Sequence, residues 1–70
     1  MSGIAGQIAM ARRHVESGLD ILDRQRRLIA RRHVLKLDVT AAEDLLERFE
    51  QTQAIFEEDL DRLLCEQGNQ

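Results

Sequence analysis

Two long seams of core-type residues, stepping alternately by four and by three, run from Ile4 to Ile29 and from Ala42 to Leu63, with only Leu37-Asp38-Val39 as a break between them. Side chains at that spacing fall on one face of an α-helix, which turns about 100° per residue. No proline interrupts either stretch, and the period-two alternation of a half-buried strand is missing. A connection this short leaves the second helix no option but to run back along the first. The chain is therefore expected to be all-α, an antiparallel two-helix hairpin forming a single unit over residues 1–70.

Helix 1 is expected over about 7–36, the turn over 37–40 and helix 2 over about 41–66. Gly3 and Gly6 disfavour helix near the start, so residues 1–6 and 67–70 are expected to fray. Thr40 and Glu43 stand at capping-box spacing, in which the threonine hydroxyl takes the Glu43 amide and the glutamate returns to the Thr40 amide.

The helix 1 seam reads Ile4, Ile8, Ala11, Val15, Gly18, Leu22, Gln25 and Ile29. On helix 2 it reads Ala42, Leu46, Phe49, Gln53, Phe56, Leu60 and Leu63. A turn centred near Val39 would set Ile29 against Phe49, Leu22 against Phe56 and Gly18 against Leu60. It would also set Gln25 against Gln53, a polar layer in which each amide satisfies the other and slipped pairings are penalised.

One neighbour cannot cover everything apolar on helix 1. Ile21, Leu28 and Leu35 form a second stripe, displaced by roughly 100° from the first, and Leu45 and Leu64 flank the helix 2 seam. A 70-residue chain has a small core, and its single cysteine, Cys65, can form no internal disulfide to supplement it. The extra stability is expected from association: a homodimer of hairpins closing as a four-helix bundle, or docking on the helices of a different protein.

The two helices differ in sign. Up to Leu37 there are eight basic residues against three acids, net +5; from Asp38 onward there are two against ten, net −8. Arg13, Arg24, Arg27 and Arg31 share a solvent face that suits a phosphate backbone. Against a nucleic-acid partner stand the overall charge of −3, the absence of tryptophan and tyrosine platforms for bases, and the i,i+4 spacing of Asp20 with Arg24 and Asp23 with Arg27, which neutralises the arginines locally.

The residue patterns of catalysis are missing. His14 and His33 stand nineteen residues apart, too far for a shared metal. Cys65 lies between acids that oppose thiolate formation. Glu57, Glu58, Asp59 and Asp61 point in different directions around a helix. No enzyme activity, cofactor, metal or small-molecule substrate is expected. The longest uncharged run, Met1 to Ala11, is too short to span a membrane and lacks the basic flank of a secretory signal, so a cytoplasmic location is expected.

His14-Val15, Gly18, Arg24-Gln25-Arg26, Leu28-Ile29, Asp38, Thr40, Ala42-Glu43, Leu45-Leu46, Phe49-Glu50 and Asp61-Arg62-Leu63 together resemble a family of short helical-hairpin proteins from soil and root-associated bacteria. The likeness covers roughly His14 to Leu64 and implies the hairpin fold, with no catalytic or binding residues to carry over. The family pattern has a glycine in the turn and histidines late in helix 2, where this chain has Leu37 and then Phe56 and Glu57. The function expected is a non-catalytic interaction or regulatory module that self-associates through its apolar helix faces. The alternatives are a small nucleic-acid-associated regulator using the arginines of helix 1, or a subunit or antitoxin-like segment docking on another protein.

Overall fold

The computed structural model describes residues 3–68, which form two helices, α1 (Ile4–Val34) and α2 (Thr40–Gly68), packed side by side along their whole length. The molecule is a rod, 54 × 16 × 15 Å.

α1 begins three residues earlier than the glycines suggest. Gly3 is extended and its carbonyl accepts the amides of Gly6 and Gln7 at 3.0 and 3.2 Å. Placing Gly6 inside a helix costs roughly 1 kcal/mol. The packing of Ile4 and Ile8 with Ala11, Leu60, Leu63 and Leu64 offsets that cost. At the other end α2 runs to Gly68, two residues beyond the expected limit, with Arg62 tying its last turns to Asp59 and Glu66 at 2.6 and 2.9 Å. Of the residues expected to fray, 3–6 and 67–68 thus belong to the helices or their cap, and 1–2 and 69–70 lie outside the described residues.

The turn occupies 35–39 rather than 37–40, because α1 stops at Val34 in a Schellman arrangement. The Leu37 amide donates to the Arg32 carbonyl at 2.8 Å, and the Lys36 amide to that of His33 at 3.0 Å. This geometry needs a left-handed residue, and Lys36 supplies it with φ 58°. The chain then folds back over the last turn of α1, where Arg32 Nε donates to the Asp38 carbonyl at 3.0 Å.

The capping box expected from Thr40 and Glu43 does not form. The Glu43 amide donates to the Val39 carbonyl at 2.8 Å, and the Thr40 hydroxyl is itself a donor, to Asp38 Oδ1 at 2.8 Å. That same oxygen takes the Thr40 amide at 3.1 Å, so the start of α2 is capped by Asp38. A carboxylate outcompetes a hydroxyl for an unpaired amide, and the early end of α1 brings Asp38 within reach.

The register differs from the expected one by about two helical turns. Gly18 faces Gln53, seven residues short of Leu60, and Phe56 stacks on His14, with ring centroids 5.1 Å apart, in place of Leu22. Gln25 and Gln53 therefore form no mutual layer. Each reaches across the seam to a backbone carbonyl: Gln25 Nε2 donates to Ala42 O at 2.8 Å and Gln53 Nε2 to Val15 O at 3.0 Å. A helical carbonyl already bonded along its own helix keeps a second lone pair for such a donor.

The buried residues are Ile8, Ala11, Leu22, Gln25, Ile29, Gln53 and Leu63; Phe49, Phe56, Leu46 and Leu60 are only half-buried. Two helices make a line of contact, and its large aromatic side chains reach past the line to the flank.

Candidate functional site

The flank they reach is one side of the hairpin, and its residues come from both helices. Ile21 shares a small notch with Gly18, Phe49, Thr52, Gln53 and Phe56. Closer to the turn, Leu28 shares a groove with Ala41, Ala42 and Leu45. Ile21, Leu28 and Leu45 are each 40–42% exposed, and Leu35, at the turn end of the same stripe, is 61% exposed. The sequence shows Ile21, Leu28 and Leu35 as a second stripe on helix 1 and Leu45 as a residue flanking the helix 2 seam; folding sets Leu28 beside Leu45 and Ile21 beside the half-buried rings of Phe49 and Phe56, on one side of the hairpin.

The strip covers only the turn-proximal half of this side. Beyond it, towards the open end, the same side carries Gln7, Met10, His14, Asp59 and Arg62. Hydrogen bonds to Asp59 first, then to Glu66, hold the Arg62 guanidinium above its ordinary pKa. The opposite side of the hairpin is a groove between Leu19 and Arg26 on α1 and Glu50, Ala54 and Glu57 on α2, crossed by the Arg26–Glu50 pair at 3.7 Å.

Under the strip lies a feature that sequence alone did not reveal. The Gln53 side chain, 4% exposed, spends its amide nitrogen on Val15, while its Oε1 accepts no hydrogen bond among the described residues. The Gln53 side chain lines the notch beside Gly18, about 40 Å³ in volume. A buried carbonyl without a donor costs roughly 1–3 kcal/mol. The only hint in the sequence was a glycine within a helix, which signals that something comes close but not what.

The remaining candidates are dispersed. Cys65 is exposed and unpaired. His33 lies at the turn end of α1, far from His14. Among the described residues no three His, Cys, Asp or Glu side chains gather as a metal-holding group, and no helix is long and apolar enough to cross a membrane. Arg24 and Arg27 bond Asp20 and Asp23 at 2.7 and 2.9 Å. Asp38 has a titration shift with a clear cause: the Thr40 amide, then its hydroxyl, and behind them the Arg32 charge hold its carboxyl below the ordinary value.

Fold and site together describe a two-helix hairpin that presents a half-length apolar strip on one side. No protein-family model matches the chain, and neither a curated protein nor a solved structure matches it.

Proposed function

We propose that this chain is a non-catalytic protein–protein interaction or regulatory module that self-associates through the strip, two hairpins closing as a four-helix bundle. The observation that carries this reading is the strip itself: Ile21, Leu28, Leu35 and Leu45 stand exposed, Ile21 beside half-buried Phe49 and Phe56 and Leu28 beside Leu45. Exposed apolar side chains gathered in this way mark an interaction site.

Size supports it. A compact protein of 8.1 kDa exposes about 4,500 Å², whereas this hairpin exposes 5522 Å². The excess is close to the roughly 800 Å² that each partner contributes to a stable interface. The radius of gyration, 16.0 Å, likewise exceeds the about 11 Å of a compact 70-residue domain. Packing a second hairpin alongside thickens the 16 × 15 Å cross-section of the rod. The exposed, unpaired thiol of Cys65 suits a reducing compartment, and we place the chain in the cytoplasm.

Sedimentation equilibrium at micromolar concentration, with reductant present, tests the reading. Self-association gives about twice the 8.1 kDa chain mass. A sample that stays at 8.1 kDa across that range overturns it.

A further inference from the structure

Resting on the self-association proposed above, we infer that the occupant of the strip is a second copy of this chain aligned parallel to the first, with both turns at one end of the bundle and α1 of each protomer packed against α2 of the other.

Two hairpins laid face to face have two symmetric solutions. A twofold axis parallel to the helices puts both turns at one end and crosses α1 with the partner's α2. An axis perpendicular to the helices puts the turns at opposite ends and sets α1 on α1 and α2 on α2. Two independent features choose the first.

The strip is off-centre. Ile21 and Leu28 lie in the second half of α1 and Leu35 just past its end, while Leu45 and Phe49 lie in the first half of α2 and Phe56 just past its midpoint. Parallel copies overlay apolar half on apolar half and the His14, Asp59 and Arg62 half on its own kind, along the full rod. Opposed copies must either bury the strip against those polar residues or slide apart until only their turn-proximal halves overlap, which covers the strip but leaves both open-end halves without a partner and shortens the contact to about half the rod.

The helices carry opposite charge. The parallel solution faces the net +5 segment with the net −8 segment at both contacts, while the opposed solution faces like with like twice. Like-charge juxtaposition disfavours an assembly even where single exposed pairs are worth little.

The native chain contains its own probe. A nitroxide attached to the exposed Cys65, near the open end of α2, reports the distance between the two copies by pulsed dipolar spectroscopy with no substitution. With helix axes 8–10 Å apart and a rise of 1.5 Å per residue, parallel copies place the two labels roughly 30 Å apart or closer, and opposed copies roughly 35 Å or further, the distance growing as they slide apart. The short distance is the expected result. The long distance overturns the parallel arrangement while leaving self-association standing. A labelled sample that sediments at 8.1 kDa and gives no dipolar signal overturns both.

Discussion

Gly18 and Gln53 compete for one space at the centre of the hairpin: a β-carbon at position 18 would overlap Oε1 of Gln53 and come within 2.7 Å of its Cδ. The glycine is what admits a buried amide to the seam, and the amide, by bonding Val15 O, ties the two helices together at that level. Gly18→Ala gains about 1 kcal/mol of helix propensity but must evict a side chain whose bond and burial are worth about 1–3 kcal/mol. Net destabilisation is expected in urea unfolding at fixed protein concentration. Combining it with Gln53→Ala should recover much of that loss, because the new methyl then enters space the amide has left. A double variant no better than the sum of its parts would show that the two residues are not coupled.

Lys36 occupies a left-handed position that glycine fills at lower cost. Its φ of 58° is required by the Schellman bonds from Leu37 and Lys36 to Arg32 and His33. Replacing it with glycine is expected to raise stability by about 0.5–1 kcal/mol, the left-handed penalty less the extra freedom gained by the unfolded chain. Thermal unfolding at one fixed concentration checks this. A lower midpoint would mean that the lysine side chain itself contributes to the turn.

The Asp38 carboxylate caps α2, and its pKa is lowered in the folded state by the Thr40 amide and hydroxyl and by Arg32. A depressed folded pKa contributes stability that is fully present above the unfolded value of 3.8 and is lost as pH falls through the folded value. Unfolding midpoints followed from pH 6 downward should therefore fall in the acid range with a contribution that Asp38→Asn removes. At neutral pH the asparagine variant, which retains an acceptor oxygen, should be closer to the parent than Asp38→Ala. Equal midpoints for all three proteins at pH 6 would rule out the cap.

The hairpin and the positions at its seam were legible from spacing alone, and the register was not, for one physical reason. Seam positions repeat every seven residues, so sliding α2 by seven exchanges partners without changing which residues face inward. Gly18 meets Gln53 in place of Leu60, yet both belong to the same seam. What decides between the slides is local: the stop at Val34, the left-handed Lys36 and the fold-back of Asp38 onto Arg32. None of these follows from hydrophobic periodicity, and a lysine in a glycine's place conceals the most informative of them. The strip was half legible. Its α1 members stood out as a stripe, while the contribution of Phe49 and Phe56 depends on how far large rings overhang a two-helix contact.

Leu28 is the residue through which the strip is best tested. It is 40% exposed and lines the groove with Ala41 and Leu45, so it lies at the middle of the proposed interface without being part of the buried line that holds the hairpin together. Glutamate there is expected to place a charge between two apolar surfaces, a cost of several kcal/mol if it remains buried. The bundle should dissociate to 8.1 kDa chains that keep partial helicity by circular dichroism. Leu19 provides the matched control, because it is 53% exposed on the opposite side of α1, beside Arg26 and Glu50. Leu19→Glu adds the same charge to the same helix and should leave the sedimenting mass at twice that of the chain. If both variants dissociate, the loss comes from weakened helices rather than from the strip; if neither does, the copies meet on some other surface.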